Sequence, residues 1–186
     1  MTIEFAGENP CVVLYDQEGN AVSAVSYWNA NFSVAGPGKA LFLLIGHGGQ
    51  FQGRLFSEAN APVEFFKGLN QHFLGFEVVE WASIRPQPAR FEAGWIGEDY
   101  RLTCSHIDGA IDVTWRDFGD PRMLSQRSID FGKVAGRSYE ISSVIIGSTT
   151  GVIDVDGKTL PGSVQTPYGA LPRSAFLAFC ETWSRL

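Results

Sequence analysis

Short runs in which apolar and polar residues alternate, punctuated by glycine and proline, make up most of this chain. A period of two marks half-buried β-strands, because successive side chains point to opposite faces. Strands are predicted near Cys11–Tyr15, Ala21–Trp28, Ala40–Ile45, Phe76–Ile84, Ala89–Ile96, Asp99–Ile107, Ala110–Phe118, Ser138–Ile146 and Val152–Val155, and Arg54 to Ser57 reads as another. Two segments follow a helical period instead. Asn60 can cap a helix with Pro62 in its first turn, with Val63, Phe66, Leu69 and Phe73 on one side and Glu64, Lys67 and Gln71 on the other. Near the end, Pro172 or Ser174 opens a second helix, with Phe176, Phe179, Cys180 and Trp183 inward and Glu181 paired with Arg185 in solvent. The expected fold is mainly β, an antiparallel barrel with a β-sandwich or split barrel as alternatives, one mid-chain helix and one C-terminal helix, in a single domain over 1–186.

The best-defined local feature is a hairpin. Asp108-Gly109 between two alternating runs predicts a two-residue turn, because both central residues tolerate positive φ. In that register Tyr100 faces Asp117, Leu102 faces Trp115, Cys104 faces Val113 and His106 faces Ile111, all on an apolar face. The opposite face pairs Arg101, Thr103 and Ser105 with Arg116, Thr114 and Asp112, a set suited to water. The apolar face is a candidate cavity wall with polar ends. There, His106 is a proton exchanger and Asp117 orients or deprotonates the Tyr100 hydroxyl. The bland alternative is an ordinary cross-strand pair and a satisfied histidine. Glu80 joins these catalytic candidates if the Phe76–Ile84 run sends its carboxylate inward. Trp81, Phe91, Trp95, Leu102 and Trp115 are the candidate ligand-binding residues, since aromatic side chains line sites for amphipathic molecules, although they fill ordinary cores equally well.

Most chemical motifs are absent. Gly46-His47-Gly48-Gly49 with Gly53 fails the dinucleotide-binding spacing, and reads as a hairpin turn with an anion site beside His47 and Arg54 as the functional alternative. The three histidines, His47, His72 and His106, lie in a loop, a helix and a strand, so no metal site is expected, and Asp154 and Asp156 read as turn residues rather than calcium ligands. Neither a nucleophile elbow nor a Walker loop is present.

Composition narrows the partners. A net charge of -6 and a pI near 5.0 oppose polyanion binding, so no nucleic-acid partner is expected. No apolar run approaches the length of a membrane helix. Cys11, Cys104 and Cys180 are scattered without metal or disulfide spacing, which together with an acidic start fits reduced thiols in the cytoplasm. Oligomeric state is not legible. By strand count the arrangement resembles a calycin-type barrel, but Gly94-Trp95 lies mid-chain and adjacent where a lipocalin shows Gly-x-Trp near its first strand. The expected function is binding of a small, partly apolar organic molecule in a barrel cavity, with metal-independent and cofactor-independent acid–base chemistry of the lyase or isomerase kind on it. The alternatives are a non-catalytic carrier and a flavin-binding split barrel with Arg54, Ser57 and Lys67 as phosphate anchors.

Overall fold

The computed structural model describes residues 1–47, 50–70, 78–127, 138–167, 171 and 173–186, with His47 described for its backbone only. Its strands are β1 (Thr2–Glu8), β2 (Cys11–Tyr15), β3 (Ala21–Ser33), β4 (Gly38–His47), β5 (Gln50–Ser57), β6 (Gln87–Ile96), β7 (Asp99–His106) and β8 (Gly109–Phe118). They continue with β9 (Arg122–Arg127), β10 (Tyr139–Val155), β11 (Lys158–Thr159), β12 (Ser163–Val164) and β13 (Ala175–Arg185), and one helix, α1 (Val63–Asn70), follows β5. The fold is thus mainly β, and all 13 strands join one large sheet.

Hydrogen-bonded neighbours trace a ring of nine strands, from β10 through β8, β7, β6, β5, β4, β3 and β1 to β13 and back to β10. β1 and β2 are two halves of one line between β3 and β13, interrupted at Asn9-Pro10, where proline has no N–H to give. The gap is closed by other donors. Asn9 N–H reaches Ala178 O and Tyr27 N–H reaches Pro10 O, each at 3.0 Å. The seam is weakest between β5 and β6, a parallel pair held only by Phe56 with Gln87 and Ser57 with Pro88.

The central strands are buried on both faces, which explains near-continuous apolar runs such as Ala40–Ile45. Inside the ring, Val12, Val25, Tyr27, Leu41 and Leu43 meet Phe91, Leu102, Ile111, Val113 and Trp115. On the other face, Phe5, Trp28, Phe42 and Trp183 pack beneath Val63, Phe66 and Leu69 of α1. Trp28 stacks on Phe66 at 5.9 Å between centroids, and Phe5 meets Trp28 edge-on at 5.3 Å.

Three expectations need correction. The C-terminal segment is the strand β13, not a helix. Cys180 adopts a positive φ of 52° where the pairing with β10 slips between Ser142 and Val144, so a bulge inserts one extra residue. Phe176 and Ala178 before the bulge, and Glu181 and Trp183 after it, therefore share a face, and that single phase slip imitates the spacing of a helix. Second, residues Trp81–Ser83 form a 3-10 turn rather than a strand, while Phe76 and Glu77 lie outside the described residues, as do Gln71, His72 and Phe73. Third, the β7–β8 hairpin turns at Ile107-Asp108, and Gly109 pairs with His106. The register moves by two residues, so every side chain keeps its face while its partner changes. Gly109 serves packing: a Cβ there would fall within the Asp156 carboxylate, whose Oδ1 accepts the Ala110 N–H at 3.0 Å.

Candidate functional site

The apolar face of the hairpin is a packed interior at its centre. Leu102, Cys104, Ile111, Val113 and Trp115 have no exposed surface, and the Trp115 indole N–H donates to Cys11 O at 3.0 Å. Opposite Tyr100 stands Trp115 rather than Asp117. Tyr100 is wedged edge-on among Trp95, Trp115 and Phe179 at 5.5–5.8 Å, and burial, followed by the nearby Glu8 carboxylate, pushes its phenol up to about 12. Asp117 has a positive φ of 55° and accepts the Thr150 hydroxyl at 2.7 Å. His106 packs on Phe56 at 4.8 Å. Glu80 is exposed at the entry to the 3-10 turn, and Trp81 belongs to the helix-covered core against Phe42. The structure therefore gathers Trp95, Tyr100 and Trp115 into one aromatic cluster and sets Phe91 against Tyr27 at 5.6 Å. It does not bring Tyr100, His106, Asp117 and Glu80 together.

A concavity of about 550 Å³ lies instead over the polar face of the same hairpin, between β6 and β10. Its size falls within the range of small-molecule sites, roughly 300–1,000 Å³. Strand alternation builds it in rows. One row runs Glu92, Thr103, Asp112 and Asp154 across β6, β7, β8 and β10, and the next runs Gly94, Arg101 and Thr114. Gly94 opens the floor, since a Cβ there would have no neighbour within 4 Å. At the rim Ile96 is 59% exposed, whereas Trp95 follows its partner Tyr100 to the other face of the sheet, where its ring packs on Tyr100 and Phe118.

The electrostatics are asymmetric. Arg101 and Arg116 both donate to Asp99 Oδ2, at 3.1 and 3.0 Å, and these two partners hold the Asp99 carboxyl below the usual carboxylate range. Their positive charge is thus partly satisfied inside the protein. Asp112 accepts the Thr103 hydroxyl at 2.6 Å and Asp154 accepts that of Thr159 at 2.5 Å, which leaves each with a second oxygen, and Glu92 makes no ion pair or hydrogen bond among the described residues. The lining carries three carboxylates, Glu92, Asp112 and Asp154, against two guanidiniums that both bond Asp99. Among the described residues no group of three His, Cys, Asp or Glu side chains is placed to hold a metal ion.

The flavin anchors do not converge. Lys67 is buried on α1 and bonded to Glu64 at 2.8 Å, Ser57 is buried, and Arg54 lies over the Phe56 ring at 5.0 Å. Arg54 and Ser57 are three apart on one strand and so face opposite ways.

Sequence reasoning missed a polar group in the helix-covered core. Glu181 is 3% exposed, accepts the Trp183 indole N–H at 2.7 Å, and burial pushes its carboxyl up to about 7 against the lowering effect of bonds from Trp183 and Ser143. Only the bulge at Cys180 turns it inward, and nothing in the helical pattern signals it. No protein-family model, characterised protein or solved structure matches this chain.

Proposed function

We propose that the protein binds a small, partly apolar organic molecule in the concavity of β6, β7 and β8, and that the nine-strand ring acts as a barrel presenting this site on its outer wall. The observation that carries this reading is the combination of an open glycine floor at Gly94, an exposed Ile96 at the rim and a row of three carboxylates, Glu92, Asp112 and Asp154. An aromatic or aliphatic body covers Ile96 and the bare backbone at Gly94 while its polar end lies over Glu92, Asp112 and Asp154. The excess of carboxylates over guanidiniums, with both guanidiniums engaged by Asp99, selects a cationic ligand, above all an amine. Binding without turnover fits better than acid–base catalysis, because the four candidate acid–base residues stand at separate places.

A matched pair of probes tests the charge preference: phenethylamine and phenylpropionate share a phenyl body and differ in the charged end. Titration followed by amide resonances of Gly94, Thr103 and Thr114 should show saturable shifts with the amine and none with the carboxylate at the same concentration. Equal response to both, or a stronger response to the carboxylate, would overturn the assignment.

A further inference from the structure

The inner face of the ring carries a group of donors that have no acceptor. Arg54 pairs across the sheet with Leu43, a fully buried ring-core residue, and its guanidinium lies 5.0 Å from the Phe56 ring centroid. It makes no ion pair or hydrogen bond among the described residues. His106 reaches the same ring from β7, with centroids 4.8 Å apart. Its Nδ1 accepts the Asp108 N–H at 3.3 Å, so in the neutral imidazole the hydrogen is on Nε2. That Nε2 is buried and has no partner. Cys104, two residues before His106 and on the same face, is kept as a thiol by burial, against an opposing effect of Arg54.

A buried donor without an acceptor destabilises the fold until an acceptor arrives, and native structures seldom tolerate one without a reason. Here one such donor, the Nε2–H of His106, and the half-buried, permanently cationic Arg54 guanidinium lie beside one aromatic ring. An acceptor-only group with several oxygens satisfies both at once. We propose that Arg54 and the Nε2–H of His106 form a binding site for a compact oxyanion, the phosphate or carboxylate group of a small molecule, beside Phe56 inside the ring. This site is on the opposite face of β7 from the concavity described above and stands independently of it.

Inorganic phosphate and acetate are the probes, titrated separately at constant ionic strength with chloride as the balancing anion. Proton–nitrogen correlation spectra read the His106 imidazole and the Arg54 Nε. The expected result is a saturable shift of both resonances with at least one of the two anions, and the one that acts identifies the group recognised. In Arg54→Gln the apparent affinity should fall at least about tenfold, with recovery towards wild type in Arg54→Lys, as a charge-assisted contact requires. No saturable shift in the wild-type protein with either anion overturns the site, as does an unchanged affinity in a folded Arg54→Gln variant.

Discussion

Glu181 makes stability depend on pH in a direction opposite to that of most carboxylates. Its carboxyl rises from 4.5 to about 7 on folding, chiefly because burial penalises the charged form. Between those values the native protein holds a proton that the unfolded chain has released, so stability falls as pH rises through this window and the loss is complete above about 7. With about 1.4 kcal/mol for each pKa unit, the difference between 4.5 and about 7 corresponds to roughly 3 kcal/mol. The side chain is 3% exposed, so solvent screening discounts little of this. Glu181→Gln removes the titration while keeping an oxygen that can accept the Trp183 indole N–H. Urea denaturation of both proteins from about pH 4.5 to 8 should therefore show the stability of wild type relative to Glu181→Gln declining by roughly 3 kcal/mol across the range. A relative stability independent of pH, or one that improves as pH rises, refutes the buried placement of this carboxylate.

Other substitutions probe the packing that frames the concavity. Leu102→Ala should cost about 2–5 kcal/mol in urea denaturation, because Leu102 fills the ring interior without exposed surface; a cost below about 1 kcal/mol means that this face lines a void. Gly7→Ala should destabilise by about 3 kcal/mol or more, since its Cβ would collide with the Asn29 carbonyl on the paired strand, whereas a thermal midpoint equal to wild type contradicts the β1–β3 register. Ile96→Ala should weaken phenethylamine binding while leaving urea stability within about 1 kcal/mol of wild type, as its exposed side chain implies; unchanged affinity removes Ile96 from the site.

Strands with a clean alternation were legible from sequence: β7 and β8 show one apolar and one polar face, and both faces survive the two-residue change in register. The register itself was not legible. Asp108-Gly109 carries the chemistry of a turn, but the carboxylate that Gly109 must accommodate comes from Asp156 on a distant part of the chain. The same non-local cause hid β13, where an inserted residue at Cys180 converts a period of two into an apparent helical period. It also hid Glu181, which a helix would have turned to solvent. The polar row Glu92, Thr103 and Asp112 was visible as a solvent face, but its concavity comes from sheet curvature and from the missing side chain at Gly94. Tyr100 and Asp117 were separated by the register change, and Glu80 by a turn that replaces the expected strand.

Gly94→Leu tests the binding site most directly, because the added side chain enters open space and fills the floor of the concavity without meeting another atom at its Cβ. Phenethylamine titrated against wild type and this variant, with amide resonances of Thr103 and Thr114 as reporters and urea denaturation as the control, separates binding from folding. The result predicted is saturable binding in wild type that is lost in a Gly94→Leu protein of unchanged or greater stability. Undiminished binding in the folded variant contradicts a ligand site in this concavity.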